Sequence, residues 1–280
     1  MPSSLRLTAA SAPLTQAIQV RDEFGAERQI SIPAERPLTV FVDNRELVTL
    51  MTLGLAPELL VLGYLRNQRL VDSVDDVDSI TVDWDVDAAA VKTRAGIERF
   101  DEKTAKRVVT TGCGQGTVFG HLMSDLEAIK LPPSSEPSAR ISQAALYGLL
   151  NAIRLQESTY KSAGSVHGCA LFRQQELLTF VEDVGRHNAI DTIAGWMWLH
   201  GVTGGDKIFY TTGRLTSEMV IKSAQMGIPV IVSRSGATQM GYELAKRLGL
   251  TLFGRAMNRH FICYCGFDRF DAEPEPPRPT

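Results

Sequence analysis

Apolar and polar positions alternate in different ways in the two halves of the chain. In the N-terminal half, residues 38–42 form a short apolar run, and apolar residues alternate with polar ones over 80–86; both patterns predict β-strands. A nearly continuous apolar segment, 47–65, is interrupted at Pro57, a favoured residue in the first turn of a helix. We interpret this segment as a buried strand followed by a core helix rather than as a membrane span. The first half therefore predicts a mixed α+β domain.

Helical periodicity dominates after residue 135. Apolar residues within 141–153 fall on one helical face, and Ser138 or Ser142 is the candidate cap of that helix. A pair of strands and a helix that ends at Gly201 are the next predicted elements: 170–172, 177–181 and 188–199.

Strands and helices then alternate strictly along the chain. The predicted elements are strand 207–211, helix 217–226, strand 229–232, helix 239–248 and strand 251–253. This order predicts parallel strands joined by right-handed crossovers, and hence an α/β domain.

Composition divides the chain into three regions. The segment 131–138 carries three prolines and four serines or acids and is the best linker candidate. We therefore expect an N-terminal α+β domain over 1–135 and an α/β domain over 136–270. The last residues, 271–280, contain four prolines, which predicts a disordered tail.

Charge and cysteine content limit the class of protein. The net charge of −3 provides no global attraction for nucleic acid, and we expect neither a nucleic-acid nor a membrane partner. The start of the chain lacks the apolar core of a secretory signal. The four cysteines include no Cys-x-x-Cys pair, so free thiols in a reducing cytoplasm are expected.

One cysteine lies in a setting that suits a reactive thiol. Cys113 follows the short β-branched run 108–111 and stands between Gly112 and Gly114. Glycines in such a turn allow another molecule to approach the backbone closely. The alternative is a buried, inert cysteine in a loop that needs its glycines.

Arginines recur where predicted parallel strands end. The loops 212–214, 233–238 and 254–260 each combine glycine with arginine, and the carboxyl ends of the strands are where α/β sheets bind ligands. Guanidinium groups bind phosphate oxygens in bidentate fashion. The arginines Arg214, Arg234, Arg255 and Arg259 therefore predict a phosphorylated or nucleotide-like ligand, against the alternative of a solvated surface.

The polar run 182–191 separates an apolar strand from an apolar helix. Asp183 or Asn188 could cap that helix, and Arg186 and His187 could reach a ligand. The alternative is a capping turn with surface charges.

A metal site is not expected. His167 and Cys169 lack the glutamate and the later Pro-Cys-x-x-Cys of zinc deaminases. Cys169 is predicted to be a core thiol, and Cys263 and Cys265 structural residues of a last strand.

Several motifs occur together in one order along most of the chain. They are Cys113-Gly, His167-Gly-Cys-Ala-Leu-Phe172, Glu182-Asp-Val-Gly-Arg-His-Asn-Ala189, Thr212-Gly-Arg214 with Ser217-Glu218, Ser233-Arg-Ser235 and Leu250-Thr-Leu-Phe-Gly254. With these motifs the chain resembles the FdhD/NarQ family of sulfur carriers needed for formate dehydrogenase activity, from about residue 37 to 266.

The resemblance implies a fold and a reaction. The implied fold is a cytidine-deaminase-like three-layer α/β/α domain with a smaller N-terminal α+β domain, usually in a homodimer. The implied activity is that of a sulfurtransferase. It accepts persulfide sulfur from a cysteine desulfurase and passes it to the molybdenum bis(molybdopterin guanine dinucleotide) cofactor, a bound substrate that GDP would mimic. The implied client is the catalytic subunit of formate dehydrogenase.

The resemblance also implies residue roles. The persulfide cysteine of the family falls on Cys113. Its cofactor-binding segment falls on Arg255, Ala256, Met257, Asn258, Arg259 and His260. The sequence departs from the family pattern at Gly116, where a second cysteine is usual, and in the low glycine content of the cofactor segment. A cofactor-binding chaperone without sulfur transfer is therefore the alternative function.

Overall fold

The computed structural model describes residues 5–97 and 129–273, which form two compact units. Within these ranges, the first unit comprises 5–97, 157–169 and 180–202, and the second comprises 129–156, 170–179 and 203–273. The chain passes between the units more than once. The predicted domain boundary after residue 135 is not tested by this division and stays a prediction.

A five-stranded mixed sheet and two helices that pack against each other form most of the first unit. The elements within the first 97 residues are β1 (Arg6–Leu7), β2 (Thr15–Arg21), β3 (Glu27–Pro33), β4 (Arg36–Val42), β5 (Arg45–Thr52), α1 (Pro57–Asn67), β6 (Val77–Asp83) and β7 (Ala88–Thr93). The sheet order is β1-β6-β7-β4-β5, while β2 and β3 form a separate hairpin. Alternate residues of the sheet, such as Leu38, Val40 and Ile80, are fully buried against α1 and form one apolar core.

The structure confirms that the segment 47–65 is a strand followed by a core helix. Its strand is the end of β5, and α1 begins at Pro57, as predicted from the sequence. Neither α1 nor any other helix in the described ranges has the length and apolar character to cross a membrane.

The second unit supplies most of a six-stranded sheet. The remaining elements of the chain are β8 (Ile141–Ser142), α2 (Gln143–Leu155), α3 (Thr159–Ala163), β9 (His167–Arg173), β10 (Glu176–Asp183), α4 (Arg186–Leu199), β11 (Ile208–Thr211), α5 (Ser217–Gln225), β12 (Val230–Ser233), α6 (Gln239–Leu248), β13 (Thr251–Met257), β14 (His260–Cys265) and β15 (Phe270–Asp271). The sheet order is β10-β9-β11-β12-β13-β14. Strands β9 and β10 contribute residues to both units.

The predicted alternation of strands and helices is confirmed in this sheet. Strands β11, β12 and β13 are parallel, and β14 adds to β13 in the antiparallel sense. Ser142, one of the two candidate caps, accepts a hydrogen bond from the amide of Ala145 at the start of α2. Helix α6 ends at Gly249, whose φ of 69° favours glycine.

Two short segments outside the candidate site differ from the sequence-based expectations. The strand predicted over 80–86 is β6, which ends at Asp83 because a turn reverses the chain into β7. Asp271 belongs to β15, which pairs with β8, so the predicted disorder is wrong for the start of the tail. Residues 274–280 lie outside the described ranges.

Candidate functional site

The loops that follow β11 and β12 lie side by side in the second unit. The hydroxyl of Ser233 donates to the carbonyl oxygen of Gly213 at 2.6 Å, and the Arg234 amide donates to the carbonyl oxygen of Thr211 at 3.0 Å. The side chain of Arg214 is exposed. Because β11 and β12 are parallel neighbours, their carboxyl ends bring Arg214 and Arg234 to one edge of the sheet.

Two polar contacts stabilise the segment that follows the first of these loops. The amide of Leu215 donates to the carbonyl oxygen of Gly236 at 3.0 Å, which joins the two loops before α5 begins. In α5, the Glu218 carboxylate is buried, and one of its oxygens lies 3.6 Å from the ammonium nitrogen of Lys222. Glu218 of the motif therefore contributes an ion pair within the helix that follows the loop.

The third predicted loop is a β-hairpin rather than a loop. Strand β13 continues to Met257, residues Asn258 and Arg259 form the turn, and His260 begins β14. The pairing is irregular here, with a register shift between Gly254 and Met257 and with left-handed φ angles at Arg255 and Asn258. The assignment of 254–260 as a loop is therefore wrong, because pairing with β14 extends the strand.

Arg255 nevertheless reaches the edge where the other two arginines lie. Its amide donates to the carbonyl oxygen of Ser235 at 2.7 Å. The preceding residue, Gly254, allows this approach, since a Cβ there would lie 2.4 Å from the Tyr264 ring and 3.0 Å from the Ser235 carbonyl oxygen. Ala256 is buried, whereas Arg255, Met257 and His260 are exposed.

The hairpin turn forms one wall of a groove in the second unit. Asn258 and Arg259 line it from the turn, and Tyr147, Asn151 and Arg154 line it from α2, around a volume of about 410 Å³. The guanidinium carbon of Arg259 lies 5.7 Å from the centre of the Tyr147 ring. The sequence motifs predicted a binding role for the two turn residues but not for the three residues on α2. Their spacing of four and three residues, which places side chains on one helical face, was the available signal.

The polar run after β10 belongs to the first unit and is largely buried. Both oxygens of Asp183 accept two hydrogen bonds: Oδ2 from the Thr52 hydroxyl and the Leu53 amide, and Oδ1 from the Gly185 amide and the Asn188 side chain. Asn188 also donates to the carbonyl oxygen of Met51 at 2.7 Å. The run therefore attaches the end of β5 to the start of α4.

Neither predicted cap of α4 caps it. Gly185 is the residue before the helix, and no side chain caps its first amides. Arg186 and His187 occupy the first turn and are 4% and 3% exposed. They remain predicted ligand contacts.

Burial and hydrogen bonding act in opposite directions on Asp183. Burial is the larger effect and raises the pKa of its carboxyl group above the ordinary value, while the hydrogen bonds from Thr52, Gly185, Asn188 and Leu53 favour the ionised form. The sequence alone could not reveal this arrangement, since two of the donors lie about 130 residues away.

The cysteines of the described ranges are poor nucleophiles. Cys169 is fully buried in β9. Burial, with a smaller effect of the neighbouring Cys265, raises the pKa of Cys263 to about 11, and burial also raises the pKa of Cys265. Cys113 and Gly116 lie outside the described residues, so the predicted role of Cys113 is not tested. Within the described ranges, histidine, cysteine and acidic side chains form no cluster of three that could hold a metal ion.

Comparison with known proteins relates most of the chain to one family. The family model for FdhD/NarQ matches residues 33–271. A protein named sulfur carrier protein FdhD from Listeria innocua is 30% identical over 252 residues, which is 89% of this chain and 95% of the relative. The protein of the same name from Bacillus subtilis is 31% identical over 231 residues, covering 82% of this chain and 86% of the relative.

A solved structure shows the same mixed α/β fold. It is the crystal structure of a protein from Desulfotalea psychrophila, provisionally named a formate dehydrogenase accessory protein. The two structures superpose with a TM-score of 0.72 at 24% identity, over 92% of this chain and 100% of the other. The extent of the family match, together with the full-length relatives, shows that the chain belongs to the FdhD/NarQ family.

Proposed function

We propose that this protein is a sulfurtransferase that carries persulfide sulfur on Cys113, from a cysteine desulfurase to a molybdenum bis(molybdopterin guanine dinucleotide) cofactor. The observation that carries the proposal is the match, over 89% of the chain, to relatives named sulfur carrier proteins. The client of the sulfurated cofactor is the catalytic subunit of formate dehydrogenase, in line with the provisional name of the solved neighbour.

Loading of the carrier is a thiol–persulfide exchange. The Cys113 thiolate attacks the terminal sulfur of the desulfurase persulfide. A new S–S bond forms on Cys113, the S–S bond of the desulfurase breaks, and the desulfurase cysteine leaves as a thiolate. The cofactor is the substrate that then receives the terminal sulfur. Because exchange requires an accessible thiolate, the carrier cysteine must have a pKa near or below the working pH.

The environments of the other three cysteines support the choice of Cys113 as the sulfur carrier. Cys169 is inaccessible, and the raised pKa values of Cys263 and Cys265 leave both almost entirely as thiols at neutral pH. None of the three therefore meets the requirement for exchange. Cys113, between two glycines, is the remaining cysteine of the chain.

Intact mass after incubation with a cysteine desulfurase and cysteine tests the carrier role. The wild-type protein should gain the mass of one sulfur atom, and Cys113→Ala should not. Cys263→Ala is the matched control and should load as the wild type does. Equal loading of the Cys113→Ala variant would overturn the assignment.

The arginine edge and the hairpin are the proposed binding region for the cofactor. Backbone hydrogen bonds link the loops of Arg214 and Arg234 to each other and to Arg255 in β13, and Arg259 lies in the turn that follows β13. Guanidinium groups suit the diphosphates of the dinucleotide tails. With GDP as a mimic, calorimetry should show weaker binding by about ten-fold or more for Arg214→Ala and Arg255→Ala. Unchanged affinity in both variants would place the ligand elsewhere.

A cofactor-binding chaperone is the second candidate function. The observation that favours it is Gly116, which stands where the family usually has a second cysteine. A chaperone would bind the cofactor without acquiring sulfur. Binding of GDP by a protein that gains no sulfur mass from the desulfurase would support this function over the first.

The proposal extends to architecture and assembly. The six-stranded sheet with its crossover helices agrees with the expected cytidine-deaminase-like three-layer domain. A homodimer is expected, and sedimentation of the purified protein tests it. A reducing cytoplasm is the compartment in which a free Cys113 thiol would persist.

A further inference from the structure

The groove beside the hairpin turn has a second wall, which lies outside the motifs quoted above. The wall is one face of α2, where Tyr147, Asn151 and Arg154 follow each other at helical spacing. The opposite wall is the turn, with Asn258 and Arg259. The volume of about 410 Å³ lies within the range of small-molecule sites, roughly 300–1,000 Å³.

The chemistry of the lining favours an anion. Both ionised side chains are guanidiniums, Arg154 from the helix and Arg259 from the turn, and the lining contains no carboxylate. Asn151 and Asn258 add amide groups, which donate and accept hydrogen bonds. Two guanidinium groups facing one groove suit a ligand with adjacent phosphates, because each can bind phosphate oxygens in bidentate fashion.

The helix wall is ordered by contacts of its own. Arg154 donates to the Asn151 side-chain oxygen at 2.9 Å, which holds the two side chains together. Gln143 donates to the Tyr147 hydroxyl at 3.1 Å. The Tyr147 ring also contacts Phe261 of β14, with ring centres 6.0 Å apart, and the guanidinium carbon of Arg259 lies 5.7 Å from the ring centre. The Tyr147 side chain is therefore held in place by contacts within the protein before a ligand arrives.

Gly148 of α2 also lines the groove. A Cβ at Gly148 would lie 2.4 Å from the side-chain oxygen of Gln175. The exposed Gln175 side chain therefore approaches α2 on the groove side. A β-carbon at Gly148 would force Gln175 to move.

We infer that the α2 face is a nucleotide-binding wall, in which Arg154 and Arg259 bind the diphosphate of a nucleoside diphosphate and Tyr147 contacts its planar base. This inference rests on the proposed function of 255–260 as the cofactor-binding segment and extends it across the groove. Arg154 would then contribute directly to the affinity for the nucleotide tail of the cofactor.

The test compares two arginines of the same unit. GDP binding to the full-length protein is measured by calorimetry for the wild type, for Arg154→Gln, and for Arg247→Gln as the matched control. Arg247 is an exposed arginine of α6 that does not line the groove. We expect Arg154→Gln to lose about ten-fold to a hundred-fold in affinity, the effect of one charge-assisted contact to phosphate, and Arg247→Gln to match the wild type.

Inorganic pyrophosphate distinguishes the diphosphate from the base. It should displace GDP, bind more weakly than GDP, and lose affinity in Arg154→Gln. Pyrophosphate that binds as tightly as GDP would overturn the nucleotide part of the inference. Equal GDP affinity of Arg154→Gln and wild type, or no GDP binding by the wild type, would overturn it entirely.

Sulfur loading separates this inference from the proposed function. Arg154→Gln should acquire sulfur on Cys113 from the desulfurase as the wild type does, and should melt at the wild-type temperature. Loss of GDP affinity with normal loading and melting supports the wall. Normal loading with normal GDP affinity overturns the wall and leaves the carrier proposal standing.

Discussion

Gly63 of α1 meets the backbone of α4 at Asp191 so closely that a Cβ on Gly63 would lie 1.6 Å from the Asp191 carbonyl oxygen. The contact is reciprocal one turn away, where a Cβ on Gly195 would lie 2.0 Å from the carbonyl oxygen of Leu59. Two glycines therefore allow the two helices to cross at backbone contact. Asn67 reinforces the crossing by donating to the Asp191 carboxylate at 2.6 Å.

Adding one methyl group at this crossing should be strongly destabilising. Gly63→Ala forces α1 and α4 apart, because a backbone carbonyl cannot move as a side chain does. We expect a loss of about 3 kcal/mol or more in the free energy of unfolding, measured by denaturant titration. Gly205→Ala is the matched control, since its Cβ would meet nothing closer than 3.8 Å. A similarly small effect of both substitutions would contradict the close crossing.

Asp183 supports a second prediction about the first unit. In Asp183→Asn, one carboxylate oxygen is replaced by an NH₂ group, and either orientation of the amide places that group against a backbone amide donor, Leu53 or Gly185. Leaving a buried donor unsatisfied costs about 1–3 kcal/mol, so we expect a loss of that size in the unfolding free energy. The control is Asp85→Asn at the exposed turn after β6. If the two variants are equally stable, the network does not have this role.

The second half of the fold follows closely from its sequence. Helix α6 has the predicted bounds, and α5 begins at the predicted residue and ends one residue earlier than predicted. These elements were predictable because strand and helix patterns alternate strictly here and a glycine follows each helix, Gly227 after α5 and Gly249 after α6. Ser142 was predictable as a cap because serine is a favoured residue immediately before a helix.

Features that depend on distant partners could not be predicted in the same way. The segment 255–260 has a polar sequence, and only its pairing with β14 makes it a hairpin. Asp183 has the sequence context of a helix cap, yet its partners include residues at the end of β5. The polar face of α2 is typical of a solvated helix surface, and only the turn at Asn258 and Arg259 makes it a wall of the groove.

An ion pair of strand β15 predicts how the stability of the protein changes at low pH. The guanidinium of Arg140 donates to Asp271 and holds the pKa of that carboxyl below its usual value of about 3.9. A lowered folded-state pKa contributes stability above the unfolded-state value, and that contribution is lost as the pH falls through the folded-state value. Asp271→Asn should therefore flatten the decrease in melting temperature below about pH 4. The effect should be small and salt-sensitive, because the pair is exposed. Identical profiles for variant and wild type would show that the pair contributes nothing.

The last prediction concerns which thiols react at which pH. With a pKa of about 11, Cys263 is a thiolate in only about one molecule in a thousand at pH 8, so iodoacetamide should alkylate it slowly there and much faster at pH 10. Cys169 should stay unlabelled in the native protein because it is fully buried. The free thiol of Cys113, as the proposed sulfur carrier, should be labelled first and already at neutral pH. Peptide mass spectrometry at the two pH values gives the extent of labelling for each cysteine, with the denatured protein as the fully reactive control. Rapid labelling of Cys263 at neutral pH would remove the argument that separates it from Cys113 as the sulfur acceptor.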